Sequence, residues 1–198
     1  DQQIGLRIYL LDNSRSTQAE DGRYFDHRNA HDLEVFEVPC TRWEEIKHMA
    51  LAHAQWNAQL GIPSEFAVIN LPKQQDMSDF VRVDSAGYAA ATQMAALERM
   101  LDANGPCGVT PLADRIEEVH ARIRDLHADV LAAGKRVVLI IATDGLPTSG
   151  SHHMSTDTDR QAFTDALRTL LKELPVKVVF RMCTDEASTA AFYRRGPH

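Results

Sequence analysis

Asp12-Asn13-Ser14-Arg15-Ser16 follows directly on the apolar run Ile8-Tyr9-Leu10-Leu11. A run of this kind reads as a buried strand, so the turn after it carries one carboxylate and two hydroxyls at a strand end. Two later stretches end in the same way. Gly108-Val109-Thr110-Pro111-Leu112 presents a threonine just before a helix, and the apolar run Val137 to Thr143 is followed by Asp144-Gly145. Together the three spell Asp-x-Ser-x-Ser, Thr and Asp, an all-oxygen set of the kind that suits a hard cation.

Outward from that turn, the chain alternates strand and helix. Ile4 to Leu11 reads as a central strand buried on both faces. Thr41-Arg42-Trp43-Glu44 is a capping-box pattern that starts a helix, with Ile46, Met49, Ala50, His53, Trp56 and Leu60 as its stripe and Gly61 and Pro63 at its end. Glu65 to Leu71 supplies the next strand. Phe80 to Asp84 alternates as an edge strand does, and Ser85 caps a helix running to Ala103. Pro111 is expected in the first turn of a helix that runs to Ala133 and stops at Gly134. Arg136 to Thr143, a helix ending near Glu173, and Val176 to Met182 complete the alternation, and Ala187 to Tyr193 reads as the start of a last helix. Repeated strand, helix, strand argues for an α/β fold: a doubly wound, mostly parallel central sheet with helices on both faces and one antiparallel edge strand. In such sheets ligands sit beyond the carboxyl ends of the strands where chain order reverses, which is where Asp12 and Asp144 fall.

The segment 18–39 does not fit the alternation. Asp21-Gly22 signals a turn, Tyr24-Phe25 is apolar, and Leu33 to Val38 reads as an added strand. It is expected to form an inserted loop or flap beside the oxygen-bearing edge, because it follows Ser16 directly.

The 198 residues suit a single domain spanning 1–198 with a sizeable core. With 44% hydrophobic and 25% charged residues the composition is that of a globular chain, which argues against disorder. A formal charge of -7 without a basic block argues against a nucleic-acid surface. The 3 cysteines, Cys40, Cys107 and Cys183, are dispersed, so neither a disulfide framework nor a zinc site is expected, and an intracellular, reducing compartment is favoured. No apolar stretch is long enough to span a membrane, and no signal peptide is expected.

The three motifs, in this order and at these strand ends, resemble the von Willebrand factor A-like family and its metal-ion-dependent adhesion site. The resemblance covers nearly the whole chain, and the Gly-x-Thr-Pro and Thr-Asp-Gly-x-Pro settings are similar as well. It implies a Rossmann-like fold and a metal site made of Asp12, Ser14, Ser16, Thr110 and Asp144. In the family the hydroxyls of Ser14, Ser16 and sometimes Thr110 touch the metal, while Asp12 and Asp144 often act through water. Magnesium is the expected cation, with manganese or calcium as alternatives. The implied function is a non-enzymatic, divalent-cation-dependent protein-binding module whose partner offers an Asp or Glu carboxylate to the metal. Other domains of a larger parent protein are further candidate partners. Two departures from the family are the 18–39 insertion and the carboxyl end, where no sixth strand follows; the expectation is a shortened sheet or a chain that stops early.

Alternatives remain for each residue. Asp12 and Ser14 alone would cap a turn, Thr110 alone would cap a helix, and Asp144 alone would be a turn residue before Gly145. A magnesium-dependent phosphotransferase or phosphatase could use Asp12 as nucleophile, although Ser14 stands where such enzymes carry a second acid. A metal-free scaffold domain is the other alternative. His152-His153 and the pair His27 and His31 are expected to be solvated rather than ligating. Trp43, Trp56 and the methionines are expected in core or half-buried packing, and Cys107 as an inert thiol.

Overall fold

A computed structural model describes residues 3–26, 35–70, 80–84, 88–149 and 154–195. His27, His31, Ser85, His152 and His153, on which expectations were placed, lie outside the described residues.

Five strands form the central sheet in the order β5-β4-β1-β6-β7. They are β1 (Ile4–Leu11), β4 (Ser64–Val68), β5 (Val81–Val83), β6 (Arg136–Thr143) and β7 (Val176–Met182). All neighbours are parallel except β4 and β5, so the one antiparallel strand lies at the edge as its alternation predicts. Between β1 and β6 the register places Leu11 against Ala142, which brings the two following turns side by side.

Alternation along β1 explains why helices cover both faces. Leu6, Ile8 and Leu10 join one core cluster with Leu112, Ile116 and Val119 of α3 (Leu112–Leu126) and Phe163 and Leu167 of α5 (Asp157–Glu173). Tyr9 and Leu11 join the other with Trp43, Ile46 and Ala50 of α1 (Arg42–Gln59) and Leu97 and Leu101 of α2 (Tyr88–Ala103). A strand buried on both sides between two helical layers has no polar face to offer. The chain leaves β1 for β4 and β5 on one side, then returns to β6 and β7 on the other. The reversal therefore falls between β1 and β6.

Local signals act as expected at several ends. Thr41 and Glu44 form a complete capping box on α1. Gly61 and Gly134 follow their helices with φ of 67° and 64°, the left-handed values that glycine tolerates best. The closing helix α6 spans Ala187–Arg195.

Three expectations need correction. The helix after Pro111 does not run unbroken to Ala133: it stops at Leu126 and resumes as the short α4 (Ala128–Ala132). His127 at the break is buried 3.1 Å from Glu65 of β4, a partner that local sequence does not reveal. Pro111 is the residue before that helix rather than its first residue. Trp56 and Met154, at 57% and 81% exposed, are not in the core or half-buried packing expected of them. The Asp21-Gly22 signal is met by a turn at Glu20 and Asp21, after which Gly22 opens β2 (Gly22–Asp26), which pairs with β3 (Phe36–Cys40) in a separate two-stranded antiparallel sheet. A Cβ at Gly22 would lie 2.5 Å from the Thr41 carbonyl oxygen, so glycine is there for the close approach of this hairpin to the start of α1.

Candidate metal centre

The turn after β1 is built from its own hydroxyls. Asp12 is fully buried, its Oδ1 accepts the Ser14 amide at 2.8 Å, and its Oδ2 accepts the Thr143 hydroxyl at 2.5 Å. Ser14 and Ser16 hydroxyls lie 3.0 Å apart, and Ser16 donates to Asp144 Oδ1 at 2.8 Å. A turn of 3-10 helix over Arg15–Gln18 holds the two serines on the same side.

Thr110 reaches the same place from the loop before α3. A methyl built on Gly145 would stand 3.5 Å from the Thr110 hydroxyl and 4.0 Å from that of Ser16, so these two oxygens converge over Gly145. No side chain caps α3, so the hydroxyl is not spent there as the helix-cap alternative required. The Thr110 amide donates to the Thr148 hydroxyl at 2.8 Å, and the Thr148 amide donates back to the Thr110 carbonyl at 2.9 Å. All five residues read from the sequence thus gather at one sheet edge, on or beside the wall of a cleft of about 520 Å³. Arg15, Arg42, Leu146, Ser155 and Glu186 line the rest.

Several residues that hold this arrangement carried no sequence signal. Asn13 acts as a staple: its side-chain nitrogen donates to the carbonyls of Asn70 and Asn104 at 2.9 and 3.2 Å, and its oxygen accepts the Asn70 amide at 2.8 Å. Asn70 in turn donates to the Val109 carbonyl at 2.7 Å. The loops after β1, after β4 and before α3 are therefore locked to one another by the side-chain amides of buried Asn13 and half-buried Asn70. Tyr193 of α6 donates to the Gly145 carbonyl at 2.8 Å. Arg42, the first residue of α1, donates to Asp144 Oδ2 at 2.9 Å. It also holds Asp21 through two bonds of 2.6 and 2.7 Å.

Electrostatically the site is a place where negative charge is hard to hold. Burial, and then the neighbouring Asp144 charge, push the Asp12 carboxyl up to about 6, against the hydrogen bonds from Ser14 and Thr143. Arg42 is a counter-charge bonded directly to Asp144, and it is shared with Asp21. Two buried carboxylates with three hydroxyls offer only hard oxygen donors. Among the described residues no three His, Cys, Asp or Glu side chains gather in a metal-holding group, so a thiolate or imidazole cage is not on offer. Hard oxygen donors of this kind are the ones a magnesium-like ion takes.

No protein-family model matches the chain, and no curated protein matches it.

Proposed function

We propose that this chain is a von Willebrand factor A-like domain that binds a divalent cation, magnesium by preference, and uses it to take a carboxylate from a protein partner. The observation that carries this reading is the meeting of Asp12, Ser14, Ser16, Thr110 and Asp144 from three separate loops at the sheet's switch point. Ser14, Ser16 and Thr110 would hold the ion directly, and the buried Asp12 and Asp144 would supply charge behind them. Neutral hydroxyl donors leave such an ion electrophilic toward an incoming Asp or Glu, and the low dielectric beside buried Asp12 and Asp144 strengthens that bond. Manganese and calcium satisfy the same donors with looser geometry.

The phosphotransferase alternative draws less support. Asp12 would be its nucleophile, yet that residue is fully buried and both oxygens are already engaged, one by a backbone amide and one by Thr143. A carboxylate so placed is suited to support a site from behind rather than to attack a substrate.

Calorimetric titration with magnesium chloride tests the cation step, and capture of partners with magnesium or with chelator tests the second. Wild type is expected to bind magnesium, with Ser14→Ala and Thr110→Ala abolishing both uptake and metal-dependent capture. At a hundredfold excess over the dissociation constant, bound cation should add about 2.7 kcal/mol of apparent stability. A wild-type chain that takes up no divalent cation would return the domain to the scaffold class. Capture that survives chelation would remove the metal from the interface.

A further inference from the structure

We propose that Arg42 is a built-in competitor for the divalent cation, and that Asp21 sets how strongly it competes. This rests on the cation-binding reading above and concerns how that site is regulated.

Arg42 faces two carboxylates of different character. Asp144, with its side chain fully buried, receives one bond from the guanidinium. Asp21, whose side chain is 58% exposed, receives two. The Arg42 side chain is largely covered, at 17% exposed, so its charge is less screened by solvent than that of a surface arginine. A divalent ion on the serine side of Asp144 and a guanidinium on the other side would share one carboxylate. Like charges that close about a fully buried carboxylate repel strongly, and Arg42 stays charged at any ordinary pH. Asp21 offsets the conflict, because a bidentate pairing neutralises Arg42 and draws it away from Asp144.

Where Asp21 sits depends on the hairpin of β2 and β3. The Arg42 amide donates to the Ala19 carbonyl at 3.0 Å, the Arg23 amide donates to Glu45 at 3.0 Å, and Gly22 lies too close to the start of α1 for any side chain. A docked hairpin therefore presents Asp21 to Arg42. A partner that lifts the hairpin removes Asp21 and leaves Asp144 to Arg42. Cation loading and hairpin docking then favour one another, and the coupling is reciprocal.

The experiment is calorimetric titration of the full chain with manganese chloride, for wild type, Arg42→Gln, Arg42→Lys, Asp21→Asn and the double variant. Removing the competitor should tighten manganese binding by about tenfold or more, and removing its counter-charge should weaken it by about tenfold. Arg42→Lys keeps the charge and should not tighten binding. In the double variant the Asp21→Asn effect should vanish, since its only route is through Arg42. Arg42→Gln that weakens or leaves binding unchanged would overturn the proposal, because a residue that merely positions Asp144 predicts that sign. Asp21 is exposed, so its variant folds, and tightened or unchanged binding there overturns the proposal independently. If wild type binds and the variants do not move, only the role of Arg42 falls. If neither wild type nor Arg42→Gln takes up manganese at millimolar levels, the cation reading falls with it.

Discussion

The Thr143 hydroxyl, at the last position of β6, donates to Asp12 Oδ2 at 2.5 Å and so ties the end of one central strand to the turn that follows the other. Thr143 is fully buried and sits one residue before Asp144, so it sets the spacing between the two carboxylates without belonging to the donor set. Thr143→Val preserves shape and removes the donor. The buried Asp12 oxygen would then lack its partner, at a cost of about 1–3 kcal/mol. Urea denaturation of the cation-free chain should show that loss, with Thr143→Ser much closer to wild type and magnesium binding weakened in step.

Stability should respond to pH through two buried carboxyls that act in opposite directions. Asp12 is raised from 3.8 to about 6 in the folded chain, so the folded state holds its proton more tightly than the unfolded one. Its contribution is a penalty at neutral pH that is relieved as pH falls from about 6 toward 3.8, on the order of 3 kcal/mol. Glu65 is the reverse. Burial would raise it, but hydrogen bonds from His127 and Arg122, and then their electrostatic attraction, outweigh burial and hold it at about 2. The stability it contributes is present above its ordinary 4.5 and is lost as pH falls from there toward 2. Denaturation of the cation-free chain across pH 2 to 7 should show Asp12→Asn flattening the upper window and Glu65→Gln flattening the lower one.

The cysteines should separate by accessibility. Cys107 is exposed and Cys40 half-buried, whereas Cys183 is buried with its thiol pushed up to about 12, by burial first and then by the Glu45 charge. A thiol-specific chromogenic reagent should label Cys107 first in the native chain. Cys183 should react only on unfolding, and rapid native labelling there would contradict its packing.

What could be read in advance divides along physical lines. Ile4–Leu11, the α1 capping box and the antiparallel edge strand follow from local pattern, and each is found where the pattern puts it. That Asp12, Ser14, Ser16 and Asp144 would be neighbours was legible because β1 and β6 end side by side, whereas Thr110, in a loop before a helix, joined them only through the resemblance. Arg42, Asp21, Thr143 and Asn70 were not legible, since their roles depend on partners far along the chain. The break at His127 was hidden for the same reason, its partner Glu65 lying on another strand. The turn at Asp21 was legible, but the close approach that requires glycine at position 22 was not, because it depends on the Thr41 carbonyl beside it.

Gly108 offers a test that alters no proposed donor. Its φ is 68°, a conformation that costs an ordinary residue about 1–2 kcal/mol, and an added methyl would stand 2.6 Å from Asn70 Oδ1. Asn70 is the residue that fixes the Val109 carbonyl, one position before Thr110. Gly108→Ala should therefore push the Asn70 amide aside and displace the loop that presents the Thr110 hydroxyl. Gly105→Ala, in the same loop with nothing within 4 Å of the new methyl, is the control. Calorimetry should find magnesium affinity lowered in the first and unchanged in the second, with the cation-free stability loss confined to Gly108→Ala. Equal affinity in both would mean that the loop carrying Thr110 tolerates displacement, and that the position of its hydroxyl does not govern the cation.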